Sequence, residues 1–163
     1  MNRRLLTLIV LIVCSTGLYL WWFSDTKVIT RSTESLIECF EKDADDGRFG
    51  GAINTSTFRD LLDDGISFKI ERDDIPYTAI LGSYIEKGEL VQMLSGLSQS
   101  SAIVKISNKK ITILDIEDEQ ASVNLSFHIT TEKLPSNLDS DINCNLTYKK
   151  VAGDWKVSEA VVK

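Results

Sequence analysis

A long apolar stretch, Leu5 to Phe23, opens the chain, and no charged residue interrupts it. As an α-helix rising about 1.5 Å per residue, this stretch covers about 29 Å, close to the ~30 Å hydrocarbon thickness of a bilayer. Trp21 and Trp22 fall at its end, where aromatic side chains line the membrane–water interface. The pattern therefore predicts a transmembrane anchor over residues 1–24, with the membrane as the partner of Leu5 to Phe23.

The same N-terminal pattern has two other interpretations. A cleavable secretory signal has a shorter apolar core followed by small residues, and Ser15 to Gly17 supply such residues. A lipoprotein would be acylated at Cys14, although the preceding Val13 is not small. We favour an uncleaved anchor because the apolar pattern resumes at Leu18.

The basic residues predict how the anchor is oriented. Arg3 and Arg4 are the basic residues that precede the apolar stretch, and cytoplasmic flanks of membrane spans carry the excess of Lys and Arg. We therefore expect a single-pass protein with a cytoplasmic N-terminus. The remaining domain then faces the periplasm or the cell exterior, as from a bacterial inner membrane.

Apolar residues recur at helical spacing in three later segments. After a short tether at 25–29, the domain over 30–163 begins with a helix predicted from Arg31 to Asp46. A shorter helix follows the glycines at 47, 50 and 51, with Asn54 to Ser56 as possible caps and an end near residue 64. A third helix is predicted over Glu86 to Ser98.

From Ala102 onward the apolar period changes to two, which is typical of strands with one buried face. The alternation is cleanest from Ala121 to Ile129. Further strands are predicted over 66–70, 75–81, 103–116 (one strand or a hairpin), 142–148 and 155–162. Helices packed on one side of an antiparallel sheet define an α+β fold, and this is the predicted fold class.

Charge and cysteine content restrict the function. The chain has 24 acidic and 18 basic residues and a formal net charge of −6. An acidic domain without a basic stripe repels phosphate backbones, so we expect no nucleic-acid partner. Cys39 and Cys144 follow the predicted anchor. They either form a disulfide or remain two buried free thiols, and we favour free thiols.

The chain resembles the nuclear transport factor 2-like (NTF2-like) superfamily in three features. These are the element order, the acidic stretch from Phe40 to Phe49 after the first helix, and the closing sequence Gly153-Asp154-Trp155-Lys156-Val157. The resemblance covers nearly all of Ile29 to Val162. It implies a cystatin-like α+β roll in which about three helices and a curved sheet form a cone around a pocket. The anchor adds a resemblance to envelope proteins of this superfamily that follow a single N-terminal span.

The resemblance does not carry a catalytic set into this chain. Where the isomerases of the superfamily have a tyrosine, in the first helix, the aligned position falls near Phe40. Their aspartate would match Asp73 or Asp74 only if the first strand ends early. The dehydratases rely on several histidines, and this chain has His128 alone.

Other candidate sites also have simpler explanations. The acidic stretch Asp43 to Gly47 and the group around Asp139 and Asp141 lack the glycine and glutamate spacing of a calcium-binding EF-hand loop. His128 lies on the polar face of its strand and is predicted to be solvated. The sequence therefore predicts no metal, no cofactor and no catalytic residue.

Two surfaces remain as candidates for binding. Large apolar side chains expected on the inner face either pack as a core or line a lipophilic cavity: Phe40, Leu94, Phe127, Tyr148 and Trp155. Polar side chains expected on the outer face of the sheet form a candidate surface for a protein partner or a homodimer: Asn124, Ser126, Thr130, Asn145 and Thr147.

Three functional hypotheses follow. The first is a non-enzymatic, membrane-anchored module that acts as a scaffold or assembly subunit of an envelope complex. The second is a binder of a small apolar ligand in the cone, which a completely filled interior would exclude. The third is a lyase or isomerase that uses Asp73 or Asp74.

Overall fold

The computed structural model describes residues 12–17, 21–43, 48–71, 85–134 and 138–163. Residues 12–17 are helical. The other elements are α1 (Asp25–Glu38), α2 (Arg48–Leu61), β1 (Leu62–Ile70), α3 (Lys87–Gln99), β2 (Ile103–Glu117), β3 (Gln120–Glu132), β4 (Asp139–Val151) and β5 (Asp154–Val162). This order confirms the predicted α+β class.

Among the described residues, no helix has both the length and the apolar character needed to cross a bilayer. Residues 1–11 and 18–20 of the predicted anchor segment lie outside the described residues.

Helix α1 begins at Asp25 and ends at Glu38, earlier at both ends than the predicted Arg31 to Asp46. Ser24 precedes it with extended backbone, and Asp25 places a carboxylate in the first turn, where the helix dipole favours negative charge. Residues 25–29 are therefore helical and do not form the predicted tether. Ile29 is fully buried.

Helix α2 contains Gly50 and Gly51, which were predicted to lie between two helices. A Cβ atom on Gly51 would lie 2.5 Å from the Cβ of Ser98 in α3. The absent side chain lets the two helix backbones approach closely. The residues proposed as caps, Asn54 to Ser56, lie inside the helix, where the Thr55 hydroxyl donates to the Gly51 carbonyl at 2.8 Å.

Helix α3 agrees with the prediction to within a residue. Glu86 and Glu89 form a capping box at its start, with the Glu86 amide donating to Glu89 Oε2 at 3.3 Å. At its other end Lys42 Nζ donates to the carbonyls of Leu97, at 3.0 Å, and Ser100. A lysine from the segment after α1 thus takes the place of a basic residue in the last turn of α3.

The five strands form one sheet in the order β1-β5-β4-β3-β2. Three strand pairs are antiparallel, but β1 runs parallel to β5, so the predicted antiparallel sheet is wrong and the sheet is mixed. No hairpin turn fixes the direction of β1, because α3 and three strands separate it from β5 in the chain. Register shifts in the β1–β5, β2–β3 and β4–β5 pairs bend the strands, as bulges do.

Strand β3 confirms the predicted alternation. Ala121, Val123 and Leu125 are buried on the face that the helices cover, and the residues between them are only half-buried. The strand register continues this apolar face across the sheet. One such row consists of Phe68, Ala160, Leu146, Val123 and Ile113.

Strand β2 is continuous from Ile103 to Glu117, which decides against a hairpin at its centre. Asn108 has a φ of 53°, and the register with β3 shifts between Ser107 and Lys110. The break in the apolar pattern therefore marks an irregularity within one strand. The predicted strand over 75–81 lies outside the described residues.

Candidate functional site

A cavity of about 410 Å³ lies between the inner face of the sheet and the three helices. Every helix and every strand contributes to its wall among the described residues. Representative wall residues are Leu36 of α1, Phe58 of α2, Leu90 of α3, Phe68 of β1, Leu125 of β3 and Ala160 of β5. The interior is therefore not completely filled, and binding of a small apolar ligand stays a prediction.

The wall of the cavity is apolar. Within the described residues no polar atom is exposed to its interior. Its hydroxyl-bearing residue, Thr131, is turned toward the backbone: its Oγ1 accepts a hydrogen bond from the Leu138 amide at 2.7 Å. A ligand therefore meets carbon and sulfur atoms in this wall, and recognition rests on shape and apolar contact.

Among the described wall residues, Cys144 is the one with an ionisable side chain. Burial raises the pKa of its thiol to about 12, although a hydrogen bond with the backbone of Val161 acts in the opposite direction. A thiol with this pKa is neutral near pH 7 and is a poor nucleophile. Cys39, buried at the end of α1, is also a free thiol, and burial raises its pKa to about 11.

The strand register defines two ends of the sheet, at opposite ends of the strands, and the cavity lies between them. The end of β3, the start of β4 and the ends of β5 and β1 lie side by side. Half-buried wall residues collect here, among them Ile129, Leu134 and Val162. We call this the open end. The opposite end, where β4 turns into β5 and β1 begins, is called the closed end.

Two of the predicted pocket residues, Phe40 and Phe127, lie in the wall of this cavity. The ring of Phe40 packs edge-to-face against Phe58 at a centroid distance of 5.1 Å. Leu94 lines a separate pocket of about 150 Å³ between α2, α3 and the end of α1. Tyr148 and Trp155 line neither pocket among the residues described.

Tyr148 is fully buried at the closed end. Its hydroxyl is 2.8 Å from Thr33 Oγ1, which in turn donates to the Ile29 carbonyl at 2.8 Å. Burial raises the pKa of Tyr148, while its hydrogen bond with Thr33 lowers it. The tyrosine thus fastens α1 to the sheet and does not present its hydroxyl to the cavity.

Trp155 also fastens α1 at the closed end. Its Nε1 donates to Asp25 Oδ1 at 2.8 Å, and Lys150 Nζ lies 3.1 Å from the same oxygen. The hydrogen bond from Trp155 and the nearby Lys150 lower the pKa of Asp25, although burial acts against them. The first residue of α1 is therefore tied to both β4 and β5.

The predicted partner surface forms a continuous polar strip on the outer face of the sheet. Asn124 Nδ2 donates to Asn145 Oδ1 at 2.9 Å across the β3–β4 pair. Ser126 and Thr130 lie farther along the same face of β3, and Thr147 lies beside Asn145 on β4. All five are half-buried.

His128 lies on the same outer face, but it is not simply solvated as predicted. Its Nδ1 is 2.9 Å from Asp141 Oδ1, and its Nε2 is 3.0 Å from Asp139 Oδ1. The hydrogen bond with Asp141, aided by the charge of Asp139, raises the pKa of His128. When protonated, the ring therefore donates to two carboxylates at the start of β4.

The acids considered for catalysis, Asp73 and Asp74, lie outside the described residues. In the part of the chain that the structure describes, no three His, Cys, Asp or Glu side chains come together in a way that could hold a metal ion.

Three aromatic side chains precede α1 and are exposed. Trp21, Trp22 and Phe23 show 54%, 51% and 56% of their surface to solvent. Lys27 lies over the ring of Trp21 and Arg31 over that of Trp22, at 4.6 and 4.4 Å from the ring centroids. Arg31 also donates to the Trp22 carbonyl at 2.8 Å. These contacts hold the aromatic cluster against the first two turns of α1.

Sequence reasoning missed several wall residues, including Leu36, Phe58 and Phe68. Leu36 and Phe58 belong to apolar patterns with helical spacing, and Phe68 belongs to the alternating pattern of its strand. The signal that was lacking is the register of β1 against β5, which brings Phe68 opposite Ala160.

Solved structures with this architecture share little sequence with the chain. An NTF2-like protein from Cytophaga hutchinsonii is 18% identical with a TM-score of 0.61, over 86% of this chain and 98% of that one. A ketosteroid isomerase-like protein from Erwinia carotovora atroseptica is 11% identical with a TM-score of 0.59, over 83% and 92%. The association domain of C. elegans CaMKII is 13% identical with a TM-score of 0.52, again over 83% and 92%.

No protein-family model matches the chain, and no curated protein does. The sequence identities are 18% or less, but the alignments cover nearly all of each solved structure. The likeness is therefore one of fold alone. The chain therefore has the NTF2-like fold, with the apolar cavity between its sheet and its helices.

Proposed function

We propose that the protein binds a small apolar ligand in the cavity. The observation that carries this proposal is an interior space of about 410 Å³ with an apolar wall. Ligand pockets commonly measure about 300–1,000 Å³. An apolar cavity of about 150 Å³ already takes up benzene, and empty space of this kind costs packing contacts that a ligand restores.

The proposed function is binding and not catalysis. Burial keeps Cys144 protonated, and the hydroxyl of Tyr148 is engaged with Thr33. A general base must be deprotonated and must reach the reacting atom, and neither residue meets both conditions. The alternative, a lyase or isomerase, depends on Asp73 or Asp74; a measured activity that survives substitution of both would dispose of it.

The binding proposal is tested with full-length protein in phosphatidylcholine nanodiscs and the neutral fluorophore N-phenyl-1-naphthylamine. Ala160 lies in the cavity wall, so Ala160→Phe places a ring in the cavity. Val161 is the next residue of β5 and pairs with Asn145 of the outer face, so Val161→Phe is the matched control. The fluorophore also enters lipid, but this background is the same in all three proteins.

We expect saturable fluorescence with the wild type and Val161→Phe, and only the lipid background with Ala160→Phe. Equal signals from the wild type and Ala160→Phe, with Ala160→Phe shown to be folded by circular dichroism, would overturn the proposal.

We also propose that the domain is held at a membrane by Leu5 to Phe23. Support comes from the exposed aromatic cluster of Trp21, Trp22 and Phe23, which forms the end of this apolar stretch. Such side chains favour the membrane interface, and Lys27 and Arg31 beside them suit lipid phosphates. We expect the full chain to stay in the membrane fraction after extraction at alkaline pH; release by this treatment would contradict the anchor.

A membrane-held module of this kind would act through a partner, and the outer polar strip supports a second copy or another envelope protein as that partner. One protein with this fold is named an association domain. A double variant, Ser126→Arg and Asn145→Arg, should reduce the mass of the detergent-solubilised complex measured by light scattering. Gln99→Arg, on exposed α3 surface, is the control, and a wild type already monomeric would contradict the docking role.

A further inference from the structure

The cavity is asymmetric along its length. Toward the closed end its wall is made of buried residues such as Leu36, Leu62 and Val157. Toward the open end the buried Val104 and Thr131 are joined by the half-buried Ile129 and Leu134. Met93 of α3 is a further wall residue at which the cavity meets solvent, with 45% of its surface exposed. A ligand therefore meets buried apolar side chains at one end and partly solvated side chains at the other.

A polar group carried to the closed end would find no hydrogen-bond partner among the described wall residues. The Thr131 hydroxyl, which lies toward the open end, is bonded to the Leu138 amide, and the Tyr148 hydroxyl is bonded to Thr33 outside the wall. Burial of an unpaired hydroxyl is costly, and burial of an unpaired carboxylate is far more so. The closed end therefore favours the hydrocarbon part of a ligand over its polar part.

The open end offers water instead, because wall residues such as Ile129, Leu134 and Val162 are half-buried there. The exposed ion pair of Lys105 and Glu132 lies on the outer face of the sheet, since Lys105 pairs with Thr130. A polar group left at this end keeps its hydration. None of the described wall residues carries a charged group, so the structure does not select an anionic over a neutral head group.

We infer from this asymmetry that the ligand is a single-chain amphiphile that enters tail first, with its hydrocarbon end at the closed end and its polar group at the open end. The inference rests on the proposed binding function and names its ligand class. Scaled from the cavity that holds benzene, about 410 Å³ has room for a chain on the order of 15 carbon atoms.

Three ten-carbon compounds test the inference by displacing N-phenyl-1-naphthylamine from the full chain in nanodiscs: decanoate, 1-decanol and decanedioate. Ala160→Phe supplies the background from lipid. We expect decanoate and 1-decanol to displace the fluorophore and decanedioate to bind at least about 100-fold more weakly than decanoate, because its second carboxylate would be buried without a partner.

The outcomes separate the inference from the proposed function. Decanedioate binding within tenfold of decanoate would overturn tail-first entry. Fluorophore binding that neither decanoate nor 1-decanol displaces would overturn the amphiphile class while leaving an apolar ligand in place. A fluorophore signal that does not differ between the wild type and Ala160→Phe would overturn the proposed function itself.

The position of the polar group is tested at Met93, whose exposure lets it carry a charge without unfolding the domain. Met93→Glu should weaken decanoate binding about fivefold and Met93→Lys should strengthen it by a similar factor, since like and unlike charges then face the carboxylate. 1-Decanol should bind both variants equally. Equal affinity of decanoate for the two variants would contradict a carboxylate where the cavity meets solvent at Met93.

Discussion

The closed and open ends of the sheet differ in how they are held together. At the closed end, side-chain hydrogen bonds join α1 to the sheet through Asp25–Trp155 and Thr33–Tyr148. At the open end the segment after α1 is joined to the sheet by two backbone hydrogen bonds between Lys42 and Val104, both of 2.9 Å, and Val104 lies in the cavity wall. The comparison shows that side-chain contacts hold α1 on the sheet at the closed end, whereas backbone contacts hold the chain beside the cavity at the open end.

The largest expected effect compares one substitution at two buried alanines. Ala121 pairs with Tyr148 in the packed region, whereas Ala160 lies in the cavity wall. Ala121→Phe should lower the free energy of unfolding by about 3 kcal/mol through overpacking, and Ala160→Phe by less than about 1 kcal/mol. Urea denaturation of the full chain measures both, and equal losses would show that the cavity is closed up in solution.

The next effect removes the tie at Asp25. Asp25→Ala leaves Trp155 Nε1 without its acceptor and should cost about 1–2 kcal/mol, toward the lower value because the carboxylate is partly exposed. Asp25→Asn keeps an acceptor oxygen and should retain most of the stability. A double-mutant cycle measures the coupling: in the Trp155→Phe background, Asp25→Ala should lower the free energy of unfolding much less than it does in the wild type. If the two losses were fully additive, the two side chains would be uncoupled.

The two ends should respond to pH in opposite directions. The folded-state pKa of Asp25 is lowered, so its contribution is present above the ordinary carboxyl pKa of about 3.9 and is lost as pH falls through the folded value. The pKa of His128, which lies toward the open end, is raised, so its contribution is full below about pH 6.5 and is lost as pH rises through the folded value.

Unfolding experiments across pH measure these two dependences. Asp25→Asn should flatten the acid side of the stability profile, and His128→Gln should flatten the side above neutral pH. A wild-type profile that His128→Gln leaves unchanged would mean that the contacts with Asp139 and Asp141 contribute no net stability.

The smallest effect lies in the hairpin of the closed end. Ala152 and Gly153 join β4 to β5 with φ values of 53° and 95°, which suits a turn that favours Asn-Gly. Ala152→Asn should raise the free energy of unfolding by about 0.5 kcal/mol, because asparagine tolerates positive φ better than alanine. Gly153→Ala should lower it, and a gain in stability from that change would contradict the turn geometry.

The sequence predicted elements best where one face is buried and the other is not. The alternation from Ala121 to Ile129 found β3, and the apolar spacing after Glu86 found α3. The start of α1 was missed because its first turn is polar. Gly51 was wrongly predicted to lie between two helices, because the reason for a glycine there is its close approach to Ser98 of another helix.

The candidate site was only partly predictable for a related reason. Alternation identifies the inner face of a strand but not the end of the sheet at which a residue lies. Leu146 and Tyr148 share that face, yet Leu146 lines the cavity and Tyr148 fastens α1. The contacts of His128 with Asp139 and Asp141 likewise depend on the register of β3 against β4.

The tie between Asp25 and Trp155 also fixes where the preceding chain leaves the domain. With Leu5 to Phe23 in a bilayer, as proposed, the closed end rests next to the lipid and the entrance points into the aqueous compartment. The ligand would then reach the cavity from the aqueous side, as a free molecule or from another protein, and the adjacent leaflet would not supply it directly.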